Sequence, residues 1–221
     1  MEPLRVTASS GRIDVTAEAR TDVVVDRGQE HPMGGVLELQ GESSGVVMRV
    51  PNGTSLVVGT HSGDVRLSGE LGEVRITTRS GSVKVDRCQD LDARTVSGRV
   101  EVGTVSGDAR IRAASGRITV DRVEGSLSAT AVSGRMTIGD VIGSVHVTTV
   151  QGRIEVSLAG PASARCESVS GAITVNVPRG VAPHASLRSM SGKCACEVSE
   201  GTDCEIVGRT VSGRIVIRSR G

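Results

Sequence analysis

Thr95-Val-Ser-Gly-Arg-Val-Glu-Val-Gly103 is followed without a break by Thr104-Val-Ser-Gly-Asp-Ala-Arg-Ile-Arg112 and Ala113-Ala-Ser-Gly-Arg-Ile-Thr-Val-Asp121. Four more nonapeptides of this pattern carry the chain to Ser157, so that Gly98, Gly107, Gly116, Gly125, Gly134, Gly143 and Gly152 fall nine apart. A fixed short period of this kind marks a repeat architecture and has to be read before any local propensity. A second period lies on top of the first. After the glycine stand Arg99, Asp108, Arg117, Ser126, Arg135, Ser144 and Arg153, so arginine returns every 18 residues and the structural unit is a pair of nines.

Within a copy the apolar positions alternate. Val96, Gly98, Val100 and Val102 are expected on the inner side, with Ser97, Arg99 and Glu101 on the outer side. A period of two is the signature of a strand, and β-branched residues suit its pleated, half-buried surface. The two-residue turn Gly103-Thr104 restores the inward phase for Val105. No stretch shows a 3.6-residue apolar period, which predicts almost no helix.

Short strands with frequent turns fit an antiparallel sandwich or a parallel solenoid. The 18-residue identity decides for the solenoid, because there residue i lies beneath residue i+18 and like residues stack. The expected fold is all-β: a single parallel β-solenoid, or β-helix, of about ten coils of about 18 residues, each built from two nine-residue halves. At ~4.8 Å between strands, ten coils make a rod on the order of 50 Å long. Val100, Ile118, Met136 and Ile154 then form one inner file, and Val102, Val120, Ile138 and Val156 the next.

Outward from this centre the spacing changes. Gly45, Gly63 and Gly81 keep the 18-residue step, and the 17 from Gly81 to Gly98 places a deletion near Asp90. Downstream the steps are 19 to Gly171, 21 to Gly192 and 21 to Gly213, while Gly11 reads as the first copy. One domain over 1–221 is expected: irregular N-terminal coils over 1–40 with a polar loop at 26–35, regular repeats over 41–157, and looser coils over 158–221.

The 221 residues contain no Phe, Tyr or Trp. A thin coil explains this, since one ring would displace side chains in the coils above and below it. The same absence removes the flat surfaces that sugar stacking and single-strand nucleic-acid platforms require. Lys plus Arg number 26 against 25 Asp plus Glu, a formal net charge of +1, which argues against a general nucleic-acid field and against sequence-specific nucleic-acid recognition. No run of 18 apolar residues spans a membrane, and Met1-Glu2-Pro3-Leu4-Arg5 lacks the basic start and apolar stretch of a secretory signal. Five cysteines cannot all pair, so reduced thiols and a cytoplasmic location are the expectation.

The Val-Ser-Gly-Arg/Asp-Val-x-Val repeats, together with Val50-Pro-Asn-Gly-Thr-Ser-Leu-Val-Val58 and Val177-Pro-Arg-Gly-Val-Ala182, resemble the bacterial putative-adhesin family. This is a domain of unknown function built from β-strand repeats. The resemblance covers roughly residues 40 to 220. It implies a parallel β-helix and a structural or binding role, and it brings no catalytic residue with it.

Among candidate sites the outward row Arg99, Arg117, Arg135 and Arg153 is the sharpest, with Lys193 and Arg214 at matching places. Forked guanidinium donors suit phosphate, sulfate or carboxylate. The competing reading is a solvated face whose arginines pair with Glu101 and Glu155. Gly41-Glu-Ser-Ser-Gly45 matches the G-x-S-x-G nucleophile elbow in letters, but a strand follows where that elbow needs a helix. Cys194 and Cys196 take the inward slots that Ile215 and Ile217 take one repeat later, and Cys88, Cys166 and Cys204 are also inward, so all are expected to be buried thiols. His31, His61, His146 and His184 form no cluster, Asp90 and Asp92 mark a local irregularity, and the aspartates of a calcium β-roll are missing. No cofactor and no metal are expected.

The functional expectation is a non-enzymatic, structural or adhesion-type scaffold. It would self-associate end to end through its terminal strands, with Ile215 and Ile217 in the last coil. The alternative is a module that binds an anionic polymer or protein partner through the arginine row. A polysaccharide-active β-helix enzyme ranks last, because no cluster of carboxylates falls on one face.

Overall fold

In the computed structural model, which describes residues 3–33, 36–41 and 45–220, the chain is all-β and has no helix. Coils stack in parallel with the expected offset. Leu127 lies beside Val145, Gly134 beside Gly152 and Met136 beside Ile154, each 18 residues on, and the same register links 109–123 to 127–141 and 91–105 to 109–123. The predicted inner files are buried throughout, from Val100 and Val102 to Ile154 and Val156. They merge with the rest of the apolar interior into one continuous core.

Each coil changes direction at the Ser-Gly pair, and the structure separates two causes for its glycines. Gly134 has φ 135°, a region closed to side chains, and a Cβ there would lie well under 3.0 Å from the carbonyl oxygen of Gly116. Gly143, in the alternate nonapeptide, has an ordinary φ but the same close approach, to the carbonyl of Gly125. The first row of glycines therefore joins a positive φ to the stacking contact, while the second makes the stacking contact at the bends that separate one strand from the next.

The bend corrects one expectation. Val96 does not point inward: it is 53% exposed, while Val100 and Val102 are buried. Alternation does not carry across a residue of positive φ, so the inward phase of the first strand ends at Thr95.

Both ends of the stack depart from sequence order. Leu4–Ser10 pairs with Val36–Gly41 on one side and Leu56–Ser62 on the other, and Ile13–Glu18 likewise sits between Val46–Pro51 and the start of Val65–Val105. The first coil in sequence is thus second in space. At the other end Ala164–Val177 pairs with Glu205–Ser212 and Ile215–Ser219, and these in turn pair with His184–Ser191 and Cys194–Cys196. The coil 205–219 is inserted ahead of 184–196, which becomes the tip. Ile215 and Ile217, expected at the end, are fully buried.

The two tips differ. Over the coil 36–51 the segment expected as a polar loop forms strands instead. Val24–Arg27 runs antiparallel to Val46–Pro51 and Gln29–Met33 antiparallel to Val36–Gly41, so both outer edges are paired. Two hydrogen bonds from Arg49 to the Asp26 carboxylate, at 2.7 and 3.0 Å, fasten this cover. At the opposite tip no described strand lies beyond His184–Ser191 or Cys194–Cys196.

Candidate functional site

The four arginines of the predicted row occupy consecutive coils in strict register: Arg99 beside Arg117, Arg117 beside Arg135, Arg135 beside Arg153. All four are exposed. Ala172 interrupts the row after Arg153, and Arg214 and Lys193 resume it toward the tip, in that spatial order because of the inserted coil. Neighbouring guanidinium groups ~5 Å apart repel by roughly 1 kcal/mol in water.

Of the two expected neutralising carboxylates, one pairs with the row and the other is taken elsewhere. Arg99 reaches Glu101 at 3.4 Å, but Glu155 is engaged by Arg218 of the inserted coil at 3.5 Å. Thr119 and Thr137 stand in the file between those two glutamates. Among the described residues Arg117, Arg135 and Arg153 have no ion pair.

The other candidates separate. Cys88, Cys166 and Cys204 are buried as expected, and burial pushes the Cys88 and Cys166 thiols up to about 12 and raises that of Cys204. Cys194 and Cys196 hold the register positions opposite Ile215 and Ile217, yet they are exposed. Their phase is inward, but their coil is the tip and no described strand covers it. Residues 42–44 of the elbow-like stretch lie outside the described residues. Asp90 and Asp108 tie neighbouring coils together. The Oδ1 of Asp90 accepts the Asp108 N–H at 2.9 Å and that of Asp108 the Ser126 N–H at 2.8 Å, one coil on. His146 is exposed as expected. Among the described residues no three His, Cys, Asp or Glu side chains converge as a metal site, and no helix is long and apolar enough to cross a membrane.

Sequence reasoning missed the outward valine file. Val96, Val132, Val150, Val169 and Val211 lie exposed in one file beside the arginine row, with Ala114 in the coil between the first two, and Met190 ends the file at 84% exposure. The signal was present, since each stands directly before a Ser-Gly pair or its equivalent. Near the tip Val169, Val211 and Met190 border an open groove of about 780 Å³ that also touches Arg188, Arg209 and Cys194.

Stacked parallel coils, a thin aliphatic core and rows of like residues define a β-solenoid repeat domain. Over residues 5–195 the chain matches Toastrack DUF4097, a domain of unknown function, and it belongs to that family. The match stops short of the inserted coil 205–219. Comparison with curated proteins and with solved structures finds no match.

Proposed function

We propose that this chain is a non-enzymatic scaffold, structural or adhesion-type, that self-associates through its bare tip. The observation that carries the reading is the difference between the tips: at one, short antiparallel strands cover the last coil, and Pro32 interrupts the donors of Gln29–Met33; at the other, the parallel coil itself presents two edges with no described strand beyond them. Such edges template pairing with another chain unless charge, proline or a cover blocks them. A second copy suits this edge. Lys193-Cys194-Ala195-Cys196-Glu197 is self-complementary when run antiparallel about Ala195, placing Lys193 opposite Glu197 and Cys194 opposite Cys196 of the other copy. A twofold contact of this kind closes and stops at a dimer.

The test uses the edge itself. Lys193 accepts the Ile215 N–H on its carbonyl at 2.9 Å, so alternation along the strand turns the N–H of Cys194 to the open side. Cys194→Pro therefore removes a donor from the free edge without touching the ladder within the chain. Light scattering over a concentration series is expected to show a dimer for the parent chain and a monomer for the variant. A parent chain that stays monomeric at millimolar concentration overturns the reading.

A second reading rests on the unpaired arginines: the row binds an anionic polymer or partner. Replacing Arg99, Arg117, Arg135 and Arg153 by Ser is expected to abolish retention on a heparin column. Unchanged retention sinks it.

A further inference from the structure

Six of the eight large hydrophobic side chains exposed among the described residues fall on one line: Val96, Val132, Val150, Val169, Val211 and Met190. Ala114 fills the remaining place, and paired neighbours on either side of each residue fix the file in register from coil to coil. Single exposed valines are ordinary, but a contiguous apolar strip marks an interaction surface. Six steps of ~4.8 Å make the strip roughly 29 Å long and one side chain wide.

The strip has a basic border along one side and a border that is basic at both ends along the other. On one side runs the arginine row with Arg214 and Lys193. On the other, two residues before the ridge, Arg94 and Arg112 stand at one end and Arg209 and Arg188 at the other, with Thr130, Thr148 and Glu167 between them. The chain carries a formal charge of only +1, yet ten of its 26 Lys and Arg stand in these two files against one acid, Glu167. This argues against a second copy as occupant. An antiparallel pair of ridges lays the arginine row on itself, and a parallel pair lays both ends of the row on Arg94, Arg112, Arg209 and Arg188.

The spacing selects the shape of the occupant. Side chains on one face of an extended strand recur every ~6.8 Å and fall out of step with the coils at once. A helix offers an apolar contact every turn of about 5.4 Å, and about 20 residues of helix cover about 30 Å. We propose that the valine ridge is a docking strip for an amphipathic α-helix of another protein, with one apolar seam bordered on both sides by acidic residues. The proposal rests on the anionic-partner reading of the arginine row and adds to it the strip, the far basic border and the helix.

Three probes test it in titration calorimetry: a synthetic helical peptide of about 21 residues with a Leu seam flanked by Glu, a scrambled peptide of the same composition, and polyglutamate of equal charge. The seam peptide is expected to bind at least tenfold tighter than either control. Val132→Ser, Val150→Ser and Val169→Ser together should weaken it at least tenfold while leaving polyglutamate binding unchanged. Arg117→Ser with Arg135→Ser should weaken both. Equal binding of seam and scrambled peptides overturns the helix proposal, as does a valine variant that binds like the parent. Either outcome leaves the arginine reading intact if the arginine variant still loses polyglutamate. If that variant loses nothing, the arginine reading fails as well. Cosedimentation with phosphatidylserine vesicles that the seam peptide does not displace would also overturn the proposal, in favour of a lipid surface.

Discussion

Replacing Gly134 by Ala puts the stacking argument at risk in the middle of the rod. The residue has φ 135°, and the added methyl would lie well under 3.0 Å from the Gly116 carbonyl oxygen, which is backbone and has nowhere to turn. Holding a side chain in that glycine-only region costs about 1–3 kcal/mol, and the enforced shift of a packed coil a similar amount, so the expected loss is about 2–6 kcal/mol. For a chain of this size each kcal/mol moves the midpoint by about 2–4 °C, which makes the fall in Tm on the order of 10 °C. Because each coil touches only its neighbours, the stack should also separate into two melting units at this point. Two companion variants sort the causes. Gly143→Ala meets the Gly125 carbonyl without a positive φ and should lose only the packing share, about 1–3 kcal/mol. Gly160→Ala meets nothing within 4 Å and should change stability by less than about 0.5 kcal/mol. Calorimetric melts in which Gly134→Ala behaves like Gly160→Ala would refute the account of the bend.

The buried thiols set an alkaline limit. The folded Cys88 and Cys166 sit at about 12, above the roughly 8.5 of an unfolded thiol, so the stability they confer is full below about pH 8.5 and is lost as pH rises toward about 12. Each pH unit in that window costs about 1.4 kcal/mol per thiol. With no tyrosine and only Lys84 and Lys193 in the chain, few other groups titrate there. Melts between about pH 8 and 10.5 should therefore show a steep fall that Cys88→Ala with Cys166→Ala flattens; an unchanged slope contradicts this. In the native protein Ellman's reagent should react rapidly with Cys194 and Cys196 and reach the other three thiols only on unfolding. At the covered tip the hydrogen bonds from Arg49 hold the Asp26 carboxyl below the usual carboxylate range. The contribution of this ion pair is present above about pH 3.9 and fades as pH falls through the lowered value. Asp26→Asn should then speed amide exchange over 24–27 at neutral pH, and protection equal to the parent's would show that the pair does not fasten the cover.

The repeat made the coil legible, and the ends hid the order of coils. Parallel stacking follows from Arg99, Arg117, Arg135 and Arg153 recurring at one interval, because only stacking gives identity at that distance a physical reason. The insertion of 205–219 ahead of 184–196 left only a trace, the 21-residue steps to Gly192 and Gly213. Strand periodicity says which side a residue faces, not which coil it faces. Hence the phase of Cys194 and Cys196 was legible while their exposure was not. The Val96 file was misplaced for a local reason, since a positive φ resets the alternation that strand reading relies on. In the arginine row positions were legible but partners were not: the ion pair of Glu155 with Arg218 joins residues whose proximity the inserted coil creates.

The interleaving at the two ends also fixes an order of assembly. In an ordinary solenoid each new coil is laid on the last, and the array can grow or shrink by one repeat. Here the strands of 184–196 pair in the finished fold only with 205–219, so the tip takes its final place after later residues have been laid down. The coil 205–219 acts as a keystone. Its loss would uncover Ile173 and Val175 and detach the strands of 184–196 in one step, so a protease or a stop codon acting there would remove two coils rather than one.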